Sequence, residues 1–433
     1  MRIQDLIEKK KQGYSHTAEE LKIILDGAVD GTIPDYQLSA WLMAVCFQGM
    51  TDEELSEMTD LMARSGEMTD LSAFGDQTVD KHSTGGVGDK TTLILAPLVA
   101  SLGAKVAKMS GRGLGFTGGT VDKLESIPGF CTELSVSEFL NIVQKHGACM
   151  AGQSGNLTPA DKKLYALRDV TATVDSIPLI ASSVMSKKLA AGAKSIVLDV
   201  KTGNGAFMKE LASAELLAEK MVTAGRMRGR NVRAVLTNMN IPLGFAVGNA
   251  LEVKEAIEIL RGEGPEDLKE LTLVLGAQML ALSLGADERE AREQCERALK
   301  DGTAFLKFKE MIAAQGGDAS CADEPERLPA AQTVYELRAD RSGYLVGMDC
   351  AMIGTIATLL GAGREKKGDV IDLAAGIVLT KKTGDYVHAG ETLAYLHTNR
   401  EEKLSEAENM YREALSFSPT PVEKEPLVYK IIL

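Results

Sequence analysis

The chain has 433 residues, of which 45% are hydrophobic, and a formal net charge of −13. That length can bury large cores in two or three domains, whereas the acidic balance lacks the broad basic face that a nucleic-acid partner needs. The six cysteines include no Cys-x-x-Cys pair and the five histidines do not cluster, so neither a disulfide framework nor a zinc site is predicted and a reducing cytoplasm is expected.

Neither the amino-terminal residues nor the apolar runs indicate export or a membrane anchor. Residues 1–12 are rich in charge, and the longest apolar run, residues 91–104, is too short to span a bilayer. We therefore expect no membrane partner.

The first 66 residues are predicted to form a bundle of helices. Capping boxes precede two of the apolar runs, at Thr17 with Glu20 and at Thr51 with Glu54. Gly31 and Gly66 are predicted to end helices, and Pro34 introduces a run over residues 36–48 with apolar residues at helical spacing. A packed bundle face is the preferred interpretation of this run.

From residue 67 the pattern changes to short apolar strands followed by glycine turns and helical runs, which indicates an α/β layer structure. Strands are predicted at 78–80, 105–109, 195–200 and 233–237. A second helical segment, 158–192, opens with Thr158 as a cap and Pro159 at the first helical position. It is predicted to rejoin the first bundle as one discontinuous helical domain.

The predicted fold is therefore α/β, with a discontinuous helical domain, a large α/β domain and a carboxy-terminal α+β region. The predicted domains are helical over 1–66 and 158–192, α/β over 67–157 and 193–334, and α+β over 335–433. Residues 384–393 have the pattern of a barrel-sandwich hybrid hairpin. They lack the lysine motif of lipoyl and biotinyl carriers, which favours a structural role.

Two glycine-rich segments predict an anion cradle, at residues 80–90 (DKHSTGGVGDK) and 110–120 (SGRGLGFTGGT). Glycine lets backbone N–H groups converge on one anion, while Ser, Thr and Lys add directional donors and positive charge. Residues 80–123 contain six Lys or Arg and three Asp, a local excess of +3 in an acidic chain. Phosphate is the predicted ligand.

Two nucleotide-binding interpretations compete for the same segments. Residues 113–118 satisfy Gly-x-Gly-x-x-Gly, but Pro128 and Gly129 interrupt the long helix that a dinucleotide fold requires. Asp89 occupies the position where a phosphate-binding P-loop needs glycine before the lysine. Neither interpretation is favoured.

Residues 110–125 (SGRGLGFTGGTVDKLE) resemble the signature of the thymidine and pyrimidine-nucleoside phosphorylases. Residues 81–86 (KHSTGG) and 165–169 (YALRD) match the same family in the same order, and the similarity covers essentially the whole chain. The resemblance implies reversible phosphorolysis of uridine, thymidine and deoxyuridine to the base and an α-(deoxy)ribose 1-phosphate. A thymidine-restricted phosphorylase, an anthranilate-phosphoribosyltransferase-like enzyme and a non-catalytic nucleoside sensor are the alternatives.

The resemblance also implies roles for individual residues. Phosphate would be bound by Lys81, Ser83, Thr92, Ser110 and Thr120. The pyrimidine would be bound by Arg168, Ser183 and Lys187, with Tyr165 in the same cleft and Asp169 orienting Arg168. His82 would act as a hydrogen-bond donor or general acid, so the expected catalytic residues are His82, Arg168 and Lys187. Lys108 would contact the sugar, where thymidine-restricted relatives carry methionine, and Phe116 would form part of the sugar pocket.

No cofactor is expected to be required, and inorganic phosphate is a co-substrate. The family's potassium or calcium site would be formed by Gly88, Leu243, Ala246 and Glu255, but Lys90 stands where threonine is expected. An ammonium group can replace a bound cation, so Lys90 is predicted to fill that site and pair with Glu255. The resemblance further implies a homodimer through the helical domain, and closure about hinges at Gly66, 152–157 and 191–192.

Overall fold

The computed structural model describes residues 1–113, 115–153, 156–364, 366 and 368–433. Within these ranges the helices are α1 (Ile3–Lys11), α2 (Ala18–Asp30), α3 (Asp35–Gln48), α4 (Asp52–Arg64), α5 (Thr91–Ser101), α6 (Thr120–Leu124), α7 (Val136–His146), α8 (Pro159–Arg168), α9 (Ile177–Ala191), α10 (Leu211–Met227), α11 (Asn249–Leu260), α12 (Glu266–Leu284), α13 (Glu288–Lys300), α14 (Thr303–Ala314), α15 (Ser320–Asp323), α16 (Cys350–Ala357) and α17 (Leu404–Glu413).

The strands are β1 (Val79–Ser83), β2 (Val106–Ser110), β3 (Ala148–Gly152), β4 (Ser195–Thr202), β5 (Asn231–Asn238), β6 (Ala246–Gly248), β7 (Thr333–Arg338), β8 (Gly343–Met348), β9 (Gly376–Leu379), β10 (Tyr386–Val387), β11 (Thr392–Thr398), β12 (Leu415–Ser418) and β13 (Val428–Ile432). Of the predicted hinge segment 152–157, Ser154 and Gly155 lie outside the described residues, as does Leu114 in the second glycine-rich segment.

Helices α1 to α4 form one bundle with α8 and part of α9. Both predicted capping boxes are present, at the starts of α2 and α4, and Gly31 ends α2 in the left-handed conformation with φ 78°. Trp41 and Leu42 of α3 share a buried core with Leu164 of α8 and Leu179 of α9. The predicted discontinuous helical domain is thereby confirmed.

Two details of the helical prediction are wrong, at Thr158 and at Gly66. Thr158 does not cap α8, because its backbone is left-handed (φ 50°) and its side chain makes no capping hydrogen bond. The segment 158–192 is two helices, with residues 169–176 between them. Gly66 does not end α4 as a helix cap; instead, a Cβ at this position would lie 2.1 Å from the carbonyl oxygen of Asn156. Glycine is therefore required by close backbone approach.

The α/β domain is built on a mixed sheet. Strands β1, β4 and β5 pair in parallel, as do β2 and β3, and a parallel bridge from Thr78 to Lys105 joins the two groups. The strand order is then β3-β2-β1-β4-β5, with β13 antiparallel on the outer edge of β5. All four predicted strands are present. Because the strand order reverses at β1, ligands are expected at the carboxyl ends of β1 and its neighbours.

The carboxy-terminal region contains two antiparallel sheets, ordered β6-β9-β11-β7 and β10-β8-β12. Strand β6, from the predicted α/β domain, pairs with β9, whereas β13 returns to pair with β5. The predicted boundaries at 335 and 433 therefore enclose a strand that belongs to the α/β sheet. The predicted hairpin at 384–393 also differs, because β10 and β11 lie in separate sheets.

Two further observations concern membrane proteins and dinucleotide-binding folds, neither of which the sequence favours. Among the described residues no single helix is both long and apolar enough to cross a membrane; α12 and α13 meet that test only as a pair bent by 118°. After the Gly-x-Gly-x-x-Gly match, α6 has five residues, which is too short for the helix that a dinucleotide fold places there.

Candidate active site

A cavity of about 410 Å³ lies between the α/β sheet and the helical domain. Its sheet side is formed by the carboxyl ends of β1 and β2 with the glycine-rich segments that follow them, and its helical side by α8 and α9. The predicted site residues that line it are His82, Ser83, Thr92, Lys108, Ser110, Thr120, Tyr165, Arg168, Ser183 and Lys187. Residues from distant parts of the chain thus meet around one space.

Lys81 is the predicted site residue that does not line this cavity. Its side chain is 2% exposed, and its ammonium group donates to Thr91 Oγ1 at 2.6 Å and lies 3.1 Å from Asp199 Oδ2 and 3.4 Å from Asp89 Oδ2. Burial opposes the charge, but Asp89 and Asp199 hold the pKa of Lys81 above its ordinary value. The predicted phosphate lysine is therefore paired inside the domain.

The phosphate side of the cavity presents hydroxyl groups on tightly packed glycine backbone. The Ser110 hydroxyl is buried and has no hydrogen-bonding partner among the described residues, so a ligand that accepts a hydrogen bond would satisfy it. Ser83 Oγ accepts from the Gly85 N–H at 3.1 Å. A Cβ on Gly119 would lie 2.0 Å from the nitrogen of Gly113, so only glycine permits this close approach of the loop to itself.

Lys108 and Lys188 share the buried carboxylate of Asp80 beside this cradle. Lys188 Nζ donates to Asp80 Oδ2 at 2.7 Å, and Lys108 Nζ lies 3.1 Å from Asp80 Oδ1 while donating to the Lys81 carbonyl at 2.7 Å. Burial, with a smaller contribution from the positive charge of Lys188, lowers the pKa of Lys108 to about 7, against the opposing effect of Asp80. Lys108 therefore changes charge near neutral pH.

The surroundings of His82 bear on its expected role as a hydrogen-bond donor or general acid. Burial and the nearby positive charges of Lys188, Lys108, Lys81 and Lys187 hold the pKa of His82 well below its ordinary value. A neutral imidazole still carries one N–H donor. The direction of this shift favours the donor role of His82.

On the helical side, Arg168 is fixed by backbone carbonyls. Its guanidinium donates to Thr173 O at 3.2 Å, Val174 O at 2.8 Å and Leu179 O at 3.0 Å. These carbonyls, and not Asp169 as expected, orient it. Carbonyls do not neutralise its charge, and burial lowers the pKa of Arg168 from its ordinary value. A buried, incompletely compensated cation favours an electron-rich ligand.

Lys187 lies one turn after Ser183 on α9. Their spacing of four residues places both side chains on the same face of the helix, as predicted. Its ammonium group forms an ion pair with the buried Asp161 and donates to Ser183 Oγ at 3.1 Å. The side chain remains 29% exposed. Arg168, Ser183 and Lys187 therefore present two cations and a hydroxyl to the same cavity.

Models of three families match consecutive parts of the chain. They are described as the glycosyl transferase family helical bundle domain (residues 4–66), the glycosyl transferase family a/b domain (75–305) and the pyrimidine nucleoside phosphorylase C-terminal domain (344–418). A pyrimidine-nucleoside phosphorylase of Geobacillus stearothermophilus is 56% identical over 430 residues, covering 99% of each chain. One from Staphylococcus haemolyticus is 54% identical over 431 residues, covering 98% of this chain and 99% of the relative.

The chain belongs to the pyrimidine-nucleoside phosphorylase family. The resemblance drawn from the three sequence motifs is thereby confirmed, and so is the predicted fold class. Among solved structures, anthranilate phosphoribosyltransferase (TrpD) from Thermus thermophilus matches with a TM-score of 0.57 and 17% identity, covering 71% of this chain and 98% of that one. At this identity the similarity concerns the fold alone.

Several lining residues of this phosphorylase-family chain were missed by sequence reasoning. Lys188 and Asp89 line the cavity, together with an apolar group formed by Val174, Ile180, Val184, Phe207, Met208 and Leu217. Strand β1 brings Asp80 to Lys188, which no local spacing reveals. Phe116, expected in the sugar pocket, instead packs against the core shared with the carboxy-terminal region.

A larger space of about 840 Å³ adjoins the cavity described above. Met109, Ser110 and Arg112 line both spaces. Its remaining walls include residues 67–69, Gly152 and Leu157, from segments that join the two domains. Among the described residues, these walls lack the combination of cations and hydroxyls found in the smaller cavity. We assign the smaller cavity as the candidate active site.

Proposed function

We propose that the protein catalyses reversible phosphorolysis of pyrimidine nucleosides, yielding the free base and an α-(deoxy)ribose 1-phosphate. One observation carries the proposal: a single cavity has a glycine-backed hydroxyl cradle on one wall and two cations on the other. The first suits an anion, and the second suits a base on which negative charge grows. The family membership supports the same activity.

In this reaction a phosphate oxygen forms a bond to the anomeric carbon while the bond from that carbon to the base nitrogen breaks. The electron pair leaves on the pyrimidine, and the sugar passes through an oxocarbenium-like state. Arg168 and Lys187 stabilise the departing base, to which His82 donates a hydrogen bond. Because phosphate is the nucleophile, the protein need supply none, and the departed base takes a proton from solvent.

The hydroxyls of Ser83, Thr92, Ser110 and Thr120 hold phosphate on the opposite wall. An entering phosphate dianion competes with Asp89 and Asp199 for the ammonium group of Lys81, whose partner Asp89 lines the cavity. Closure of the larger adjoining space would bring phosphate and base together about the segments near Gly66 and Gly192.

Incubating the protein with uridine and phosphate is expected to release uracil only when phosphate is present. Because phosphate attacks the face opposite the leaving base, the product is the α-sugar phosphate. Release should persist when magnesium is chelated, which separates this activity from that of an anthranilate-phosphoribosyltransferase-like enzyme. Binding of uridine without turnover would identify a sensor instead, and a β-anomer would refute direct displacement. Nuclear magnetic resonance of the product distinguishes the anomers.

Lys108 supports the use of ribosides as well as deoxyribosides, because its ammonium can donate to a ribose 2′-hydroxyl. A charge-assisted hydrogen bond is stronger than a neutral one, and with a pKa of about 7 the charge is lost as pH rises. The ratio of kcat/KM for uridine to that for thymidine is therefore expected to fall between pH 6 and pH 8. Both substrates use the same phosphate, so its ionisation cancels from the ratio.

Lys108→Met is expected to lower that ratio at pH 6 and to remove its pH dependence, because an apolar thioether leaves the 2′-hydroxyl unpaired. Uridine and thymidine kinetics on both proteins at each pH provide the measurement. A ratio that is unchanged by the substitution would exclude Lys108 from sugar selection. A strong preference of the native protein for thymidine would favour the thymidine-restricted alternative.

No bound cation is needed in this proposal, because Lys90 supplies one. Its fully buried ammonium donates to Leu243 O at 3.0 Å and Ala246 O at 2.8 Å and pairs with Glu255. Two carbonyls and a carboxylate are the ligands of a hard cation, so the residues present do not leave room for potassium or calcium. Elsewhere in the described ranges, no group of three or more His, Cys, Asp or Glu side chains is arranged to hold a metal.

A homodimer through the helical domain is part of the proposal. Tyr36, Ala40, Met43 and Phe47 follow one face of α3 at spacings of four, three and four residues, and Tyr36 and Phe47 are 73% and 81% exposed. Large apolar side chains on an exposed helix favour contact with a protein surface. A second copy of the chain is the proposed partner.

The proposed location is a reducing cytoplasm, which fits the free cysteines.

A further inference from the structure

Arg364 connects the carboxy-terminal region to the glycine-rich segment that lines the active site. Its guanidinium forms a two-pronged contact with Asp122, with Nη2 2.9 Å from Oδ1 and Nη1 3.2 Å from Oδ2. The Asp122 side chain is 1% exposed and that of Arg364 is 23% exposed. Bidentate pairing of this kind fixes orientation as well as supplying attraction.

Asp122 in turn holds the glycine-rich segment at its other end. Its Oδ2 accepts a hydrogen bond from the Gly113 N–H at 2.6 Å, and its Oδ1 lies 3.2 Å from Arg112 Nη1. A Cβ on Gly119 would approach Asp122 Oδ2 to 2.7 Å. The carboxylate therefore sits inside the turn to which residues 111–113 and 115–119 belong, where it fixes the backbone of Gly113 and packs against Gly119.

A second contact joins the same region to the same turn independently. Gly354 of α16 packs so closely on Phe116 that a Cβ would lie 2.4 Å from its carbonyl oxygen. Phe116 is partly buried against the core that includes α16 residues, and it is not one of the described residues that line the cavity. The outer side of the turn thus rests on the carboxy-terminal region, while its inner side faces the cavity.

We propose that Arg364 is a positioning residue, through which the carboxy-terminal region sets the phosphate-binding geometry of residues 111–113 and 115–119. The inference rests on the proposed function, since it assigns phosphate to this wall. Holding the turn in one conformation before phosphate arrives spares the ordering entropy that binding would otherwise require. The carboxy-terminal region then contributes to catalysis without contacting substrate.

Arg364→Met should raise KM for phosphate about tenfold with a much smaller change in KM for uridine, because the turn faces phosphate and the base is held by α8 and α9. Arg364→Lys should recover part of the loss, since it restores charge but not the fork. Arg292→Met is the matched control: Arg292 forms a similar two-pronged pair with Glu270, at 2.6 and 2.9 Å, between α12 and α13. Its phosphate KM should match that of the native protein.

Gly354→Ala tests the second contact and should shift phosphate KM in the same direction. The rise in melting temperature on adding inorganic phosphate, measured for all variants without nucleoside, gives a second readout. It reports phosphate binding at the turn even in a variant that has no turnover. If the native protein releases no uracil, the proposed function is refuted. An unchanged KM for phosphate in Arg364→Met would refute only the positioning role. Failure of both Arg364→Met and Gly354→Ala to fold would assign the contacts to stability and overturn the proposal.

Discussion

Lys187→Met is expected to reduce kcat/KM for uridine by about 10²–10³, the range found when one preorganised group that stabilises transition-state charge is removed. Lys187 faces the cavity from α9 and is oriented by Ser183 and Asp161. Because the charge on the pyrimidine grows only as the bond breaks, the loss should appear mainly in kcat. Steady-state kinetics with uridine and phosphate varied separately measure it.

Two controls separate this effect from damage to the fold. Lys163→Met removes a lysine of α8 that pairs with Asp35 at 2.6 Å outside the cavity, and its activity should remain close to native. Asp161→Asn keeps the Lys187 charge but loosens its orientation, so it should lose less activity than Lys187→Met. A native kcat in Lys187→Met, at unchanged melting temperature, would contradict the assigned role.

Lys90→Thr is expected to lower the melting temperature by several degrees in potassium-free buffer and to make it rise with added potassium. Removing one partner of a buried ion pair costs about 3–5 kcal/mol, because the other charge is left uncompensated. Glu255 and the carbonyls of Leu243 and Ala246 would then surround a space that a cation can occupy. A ligand that binds only the folded state stabilises it in proportion to its occupancy.

The native protein should show no such response when potassium is exchanged for a bulky organic cation. Lys10→Met is the matched control, because Lys10 and Glu54 form a comparably buried pair, 3% and 2% exposed, in the helical domain. It should be destabilised without recovering in potassium. A potassium response in the native protein, or its absence in Lys90→Thr, would refute replacement of the cation by Lys90.

Local signals were sufficient for much of the fold. Side-chain oxygens that satisfy the free N–H groups of a helix's first turn are encoded by adjacent residues, so the caps at Thr17 and Thr51 could be identified. Thr158 carried the same type of signal but failed, because its backbone adopts a left-handed conformation. The pairing of β13 with β5 has no local signal, since it depends on the path of the whole carboxy-terminal region.

The candidate site was also predictable only in part. The glycine-rich segments and the four-residue spacing of Ser183 and Lys187 indicated which residues meet a ligand. The position of Lys81 could not be derived, because it depends on Asp199, which β4 places beside β1. The ionisation of His82 and Lys108 was equally hidden, since burial and cations from separate elements together determine each pKa.

The pairing of β13 with β5 also constrains the order in which the protein can be completed on the ribosome. Strand β5 is synthesised long before β13, because the entire carboxy-terminal region is translated between them. During that interval β5 presents an open edge, whose unpaired N–H and C=O groups can recruit strands from other chains. Translation that pauses between β7 and β12 therefore exposes the nascent chain to self-association, and arrival of β13 ends that exposure.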